Sequence, residues 1–349
     1  MTNSAPGIEM KGYTNPVYAE YLGDPFVWSA GGEYYAVGTG HVEAAGQIEE
    51  AEEAFAAMNA ELRLFPLLRS DDFVSWHRVG GALLPPDDPA LGETFWAPEV
   101  ACHEGRYFLY YSVGFADTRH HLRVATADHP MGPFVDAGVA LTDVSRTPFA
   151  IDPSPFQDDD GAWYLFYATD FLDCDGGYRP GTALVVDRME SMTRLAGDPR
   201  VVLRATADWQ RFQSDRTMYG AVWDWHTLEG PCVRKRDGRY FCLYSGGRWD
   251  SGGYGVDFGV SDSVLGPYSN AGCESGPRVL RGVPDHVVGP GHCSVVTGPD
   301  RVTDYIVYHA WNPGMTERTM RIDRLDWTPG GPSCAGPTWT EQQIPGSPQ

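Results

Sequence analysis

The chain has 349 residues, enough to bury a large core as one big domain or two. A formal net charge of -21, with only 26 scattered Lys and Arg, excludes a phosphate-neutralising surface for nucleic acid or an anionic membrane. Forty-one Gly, 27 Pro and 13% aromatic residues favour turns and flat strands over helices.

The opening stretch, Met1 to Pro16, is polar, with no basic start and no apolar run. The expectation is a cytoplasmic protein without a secretory signal. The seven cysteines are odd in number and lack CxxC pairs, which fits reduced thiols. No stretch approaches the length of a membrane span.

From there one two-part unit recurs. Its first half is a Gly turn running into an aromatic strand: Gly32-Glu33-Tyr34-Tyr35, Gly105-Arg106-Tyr107-Phe108, Gly161-Ala162-Trp163-Tyr164 and Gly238-Arg239-Tyr240-Phe241, with a looser copy at Asp304-Tyr305-Ile306-Val307-Tyr308-His309. Its second half is an apolar strand running into a polar turn, at Leu67–Asp72, Leu122–Asp128, Ala183–Arg188, Phe258–Ser263 and Met320–Arg324. Five copies predict an all-β, five-bladed propeller forming one domain over 1–349, with blades at about 21–80, 95–142, 148–204, 226–281 and 289–328. A β-sandwich with similar hairpins is the weaker alternative, because both halves recur in register. Glu43 to Arg63, rich in Ala and Glu, predicts a short helical insertion in blade one. Ala205 to Thr227 predicts a long aromatic loop, carrying Trp209, Phe212, Tyr219, Trp223, Trp225 and His226.

Acids stand at the heads of three aromatic hairpins: Asp24, Asp152 and Glu229, lying 8, 9 and 9 residues before Gly32, Gly161 and Gly238. Equivalent places in repeats around an axis bring such acids together. Cleavage of a glycosidic bond needs one carboxylic acid to protonate the leaving oxygen and a carboxylate to activate water, set roughly 6.5–9.5 Å apart when the reaction inverts. A third acid tunes the first. Taken singly, Asp24-Pro25 and Asp152-Pro153 are also ordinary turn-forming dipeptides. The run Asp158-Asp159-Asp160 reads as a solvated turn before the Gly161 hairpin.

The segments Gly23-Asp24-Pro25-Phe26-Val27, Trp96-Ala97-Pro98-Glu99-Val100, Ile151-Asp152-Pro153-Ser154-Pro155-Phe156, Glu229-Gly230-Pro231 and Gly289-Pro290-Gly291-His292-Cys293-Ser294 follow in order, one per blade. With them the chain resembles family 43 of the glycoside hydrolases, five-bladed propellers acting on arabinans and xylans, over essentially Tyr21 to Trp327. The resemblance implies Asp24 as general base, Glu229 as general acid and Asp152 as the modulator of the acid's pKa. It implies Trp96 in the sugar-binding wall, and Arg318, in preference to Arg321, on the sugar hydroxyls. Phe26, Glu99 and Trp225 join the expected substrate contacts, with a structural hydrogen bond as the rival role for Glu99. His120 and His121 are expected at the rim or in solvent. No cofactor is required. His292 is expected on the axis, near a water cluster or a structural calcium reached through waters, since a lone imidazole is a poor calcium ligand.

The expected activity is inverting release of terminal α-L-arabinofuranosyl or β-D-xylosyl residues from small oligosaccharides derived from plant polysaccharides. An endo-α-1,5-L-arabinanase is the alternative within enzymes, and a non-catalytic sugar-binding propeller the alternative outside them. Retention of all three acids weighs against the last. A phosphorolytic propeller would need a basic pocket beside the acids, and none is visible. The identity of the sugar, the oligomeric state and the closure of the ring are not legible.

Overall fold

The computed structural model describes residues 10–40 and 63–346. The expected helical insertion falls, but for Arg63, outside these residues. Five sets of antiparallel strands follow one another along the chain, the third and fourth joined into one nine-stranded sheet by a short parallel pairing of Gly181 and Thr182 with His226 and Thr227. The first contains Gly23–Ala30, Glu33–Thr39, Leu64–Ser70 and His77–Leu83. The second contains Thr94–His103, Arg106–Phe115, Thr118–Ala127 and Val135–Ala140. The third is built on Ala150–Gln157, Trp163–Phe171 and Gly181–Ser191, and the fourth on Ala221–Arg236, Arg239–Gly246 and Gly255–Ser261. The fifth contains Val288–Thr297, Asp304–Trp311, Arg318–Thr328 and Gly331–Cys334. The first strands of successive sets are neighbours in cyclic order, and the fifth returns to the first. The sets are therefore the blades of a five-bladed propeller, with these first strands lining the axis.

The aromatic strands follow from that arrangement. A middle strand is covered on both faces, so it reads as a continuous apolar run rather than an alternation. Consecutive side chains point to opposite faces. In the second blade Leu109 and Tyr111 face the first blade, joining Tyr35, Val37 and Phe65. Phe108 and Tyr110 face the third, joining Leu165, Tyr167 and Val185. The remaining three blade interfaces are filled in the same way, one apolar cluster each. The Gly turns are tight because both central residues are left-handed: Gly31 and Gly32 (φ 63° and 89°), Glu104 and Gly105 (51° and 78°), Asp237 and Gly238 (49° and 76°). Such two-residue turns match the twist of a hairpin.

The start of the chain closes the ring. Met10–Tyr13 pairs with Gln342–Pro345 in a two-stranded ribbon. The Asn15 side chain both donates to the Ile322 carbonyl (2.7 Å) and accepts from the Ile322 amide (3.0 Å). Between first strands, Ser294 Oγ donates to the Pro25 carbonyl and accepts from the Val27 amide, at 3.0 and 3.3 Å.

The segment expected as an aromatic loop is largely a hairpin. Arg211–Met218 pairs with the extended start of the fourth blade's first strand, turning at Tyr219-Gly220. Its Arg216 lies over the rings of Phe212 and Trp225, at 4.8 and 5.6 Å. An alternating polar and aromatic sequence forms a ribbon as readily as a loop, and these stacked rings hold it together.

Candidate active site

All five first strands carry the same irregularity. The ladder to the second strand breaks between Gly23 and Phe26, Trp96 and Glu99, Ile151 and Ser154, Glu229 and Cys232, and Gly291 and Ser294. The residue after each break is left-handed: Asp24, Ala97, Asp152, Gly230 and His292, with φ between 46° and 58°. For a residue with a Cβ this costs about 1–2 kcal/mol. Four are followed by Pro, whose missing N–H costs no ladder bond at such a bulge. The bulge amides lose their ladder partners. At four of the five a side chain of the preceding blade accepts the amide: Thr39 for Ala97 (2.8 Å), Asp152 for Gly230 (2.8 Å), Ser245 for His292 (2.7 Å) and His309 for Asp24 (3.1 Å).

This corrects the expected equivalence of the three acids. Asp24 and Asp152 occupy the left-handed position, but Glu229 stands one residue earlier, and Gly230 takes that place. Glu229 aligns with Trp96 and Ile151. The offset lets the Asp152 carboxylate receive the amide beside Glu229, so one acid fixes the backbone that carries the other.

The three acids line one cavity of about 570 Å³ at the end of the axis, together with Trp96, Trp225, His292 and Arg318. Phe149, Ile151, Phe212 and Trp249 add apolar wall. Two expected substrate contacts are not in that lining. Phe26 stacks on Trp28 and packs toward the second blade. Glu99 is buried, hydrogen-bonded by Ser154 and near Arg234, and burial pushes its carboxyl up to about 8. In each case strand alternation or depth along the axis turns the side chain away from the cavity. The expected rim histidines are both buried in the second blade. His120 lies flat behind Trp96, ring centroids 3.7 Å apart, and burial lowers it to about 4.

The electrostatics separate the acids. Burial by itself disfavours the Asp24 carboxylate, but Arg318 donates to its Oδ1 at 2.6 Å, with His292 and His309 at 3.3 and 3.4 Å. Arg318 foremost, with His292, holds Asp24 well below the usual carboxylate range. Burial raises Glu229 to about 7, with Asp24 adding to the rise while the Tyr254 hydroxyl, 2.6 Å from Oε1, and Arg318 oppose it. Asp152 is also raised, by burial first and then by Glu229 and Asp24, against the Gly230 amide. His292 is lowered by burial and lies between two carboxylates, Nδ1 3.3 Å from Asp24 and 3.9 Å from Asp152.

His309, Tyr254 and Trp249 are site residues that the sequence reading missed. His309 lay within the fifth aromatic strand, its neighbour Tyr308 masking it as packing. Tyr254 sits in a Gly-rich turn with no motif of its own. A calcium ion is poorly served by the protein donors here. Among the described residues no group of three or more His, Cys, Asp or Glu is placed to hold a metal. The imidazole of His292 faces two carboxylates rather than a ring of oxygens, and calcium takes six to eight oxygen ligands.

An enclosed cluster of carboxylates with opposed titration, at the axis of a propeller, defines a hydrolase-type acid–base site. The comparisons give the family. The model of glycosyl hydrolases family 43 matches residues 13–332, and the chain belongs to that family. A curated relative, the β-D-galactofuranosidase xynD of Aspergillus niger, is 29% identical over 89% of this chain and 80% of its own. The extracellular endo-α-(1→5)-L-arabinanase 1 of Bacillus subtilis is 26% identical over 90% of this chain and 88% of its own. Among solved structures, a thermostable family-43 glycoside hydrolase superposes with a TM-score of 0.76 at 30% identity, covering 97% of this chain and 99% of that one.

Proposed function

We propose that the protein is an inverting, exo-acting glycosidase that releases terminal α-L-arabinofuranosyl or β-D-xylosyl residues from short oligosaccharides. The observation that carries this is the opposed titration of two buried carboxyls in one cavity. Asp24 is held ionised by Arg318, while Glu229 keeps its proton up to about pH 7. That division suits a general base and a general acid at neutral pH.

In the proposed step a water oxygen attacks the anomeric carbon and gives a proton to Asp24. The bond from that carbon to the leaving oxygen breaks, and Glu229 delivers its proton to that oxygen. The anomeric centre inverts without a covalent intermediate. Asp152 holds the Gly230 amide, and with it the backbone of Glu229. Trp96, backed by His120, offers a flat face for a sugar ring, and Trp225 adds to the wall. A water-held ion beside His292 has no part in the step.

Exo action is supported by the ribbon around Arg211–Trp225. It lends Phe212, Arg216, Met218 and Trp225 to the cavity wall. Arg216 is tied to Asp117 of the second blade at 2.8 Å, and Tyr219 to Asp170 of the third at 2.8 Å. A wall pinned to two other blades favours a pocket for a chain end over an open groove.

The test is hydrolysis of p-nitrophenyl α-L-arabinofuranoside, β-D-xyloside and β-D-galactofuranoside by the wild type, Glu229→Ala and Asp24→Ala. The galactofuranoside is included because of the activity named for the Aspergillus relative. Turnover by the wild type with losses of about 10²–10⁴ in both variants supports the reading and identifies the sugar. Cleavage of linear arabinan without turnover of any aryl glycoside would favour the endo-arabinanase, and binding of sugars without cleavage would favour a lectin.

A further inference from the structure

Tyr254 is almost fully buried, in a turn just before the third strand of the fourth blade. Its ring lies parallel to that of His309, 5.8 Å between centroids and 6° between planes. It reaches this place because residue 291 has no side chain: a Cβ on Gly291 would lie 2.0 Å from the tyrosine Cε1. The hydroxyl ends 2.6 Å from Glu229 Oε1.

The direction of that hydrogen bond is set by its neighbours. The His292 amide donates to Ser245 Oγ at 2.7 Å, so Ser245 has its own hydrogen free to give. Ser245 is also hydrogen-bonded to the Tyr254 hydroxyl. The Tyr254 oxygen therefore accepts from Ser245, and its single hydrogen points at Glu229. Oε1 is then an acceptor, the role that suits the carbonyl oxygen of a neutral carboxyl better than its hydroxyl oxygen, so the carboxylic proton is favoured on Oε2.

We infer that Tyr254 is a positioning residue for the acid: its hydroxyl occupies Oε1 of Glu229, so the transferable proton sits on Oε2. The inference rests on the reading of Glu229 as general acid. It assigns two tasks to the bond. The bond orients the carboxyl, so that one oxygen faces the leaving group. It also works with Arg318 against burial and Asp24, which favour the protonated form of Glu229.

Tyr254→Phe keeps the ring on His309 and against Gly291 and removes only the hydroxyl. Titration of the protein labelled with ¹³C in its glutamate carboxyls, assigned with Glu229→Gln, reads the acid directly and without substrate. Its midpoint is expected to move up by about one pH unit in Tyr254→Phe. The basic limb of kcat/KM on a p-nitrophenyl glycoside moves with it. Turnover of the corresponding methyl glycoside, whose leaving group needs the acid, falls at least about tenfold more than turnover of the aryl glycoside. An unmoved midpoint together with an equal loss on both leaving groups would overturn the inference and leave Tyr254 a packing residue. Glu229→Ala separates the two levels. If it abolishes the basic limb while Tyr254→Phe leaves the limb in place, only the tyrosine's role fails. If Glu229→Ala retains the limb, the reading of the acid fails and this inference fails with it.

Discussion

Arg318 and Asp24, 294 residues apart in sequence, meet at 2.6 Å and join the last blade to the first at the floor of the cavity. The guanidinium lies over the rings of Trp249 and Tyr21, at 4.8 and 5.7 Å from their centres. It fits only because residue 23 is glycine, where a Cβ would lie 2.1 Å from Arg318 Nη2. Arg318→Met removes the charge that overcomes burial at Asp24. The carboxyl then titrates higher, and the acidic limb of kcat/KM moves up in pH with a loss of about 10²-fold or more at neutral pH. Gly23→Ala is expected to give the same phenotype without replacing either charged group, because its Cβ displaces the guanidinium. A pH–rate profile of the two variants checks both statements.

The wild-type profile follows from the pair of acids. The acidic limb lies below the ordinary carboxylate range, because Asp24 is held ionised. The basic limb lies near pH 7, where Glu229 loses its proton. Asp152 titrates with Glu229, so the limb belongs to the pair. A basic limb above pH 9 in the wild type would contradict this assignment.

The same shifts make the site a stability liability. A carboxyl with a raised folded pKa binds its proton more tightly folded than unfolded. Stability is therefore lost as pH rises from the unfolded value, about 4.3, through the folded value near 7. Glu229→Gln removes this loss. Its melting temperature is expected to match the wild type near pH 4 and to exceed it increasingly toward pH 8, by scanning calorimetry. A constant difference across that range would refute the linkage.

The ribbon ties predict where specificity resides. Arg216→Ala breaks the bond to Asp117 and removes a ring-stacked side chain from the wall, leaving the three acids in place. Its kcat on an aryl glycoside is expected within about threefold of the wild type, while KM for a tri- or tetrasaccharide changes at least about fivefold. Product analysis by chromatography reads whether internal bonds become accessible.

Much of the propeller was legible because its middle strands are buried on two faces. Leu109-Tyr110-Tyr111 can alternate between neighbouring blades only if every residue is apolar, and that continuous run is what repeats in the sequence. The Gly turns were legible for a similar reason, since only a few residues tolerate φ near 80°. The acids were found by their nearness to these hairpins, but their register was not. Counting 8, 9 and 9 residues back from a turn cannot resolve a bulge, and the bulge decides that Gly230, not Glu229, stands where Asp24 and Asp152 stand. Phe26 and Glu99 shared motifs with site residues, yet alternation and depth took them out of the cavity. Arg216 and Tyr254 act through partners 99 and 25 residues away, with no local pattern to announce them.

Five bulges of one shape, each left-handed and four with the amide caught by the blade before, amount to a ring of identical sockets. The apolar wedges between blades hold the sockets in place and are indifferent to what is mounted in them. Asp, Ala, Asp, Gly and His occupy them in turn. Changing a mounted side chain rewrites the chemistry at the mouth of the axis while the ring that supports it goes on closing as before.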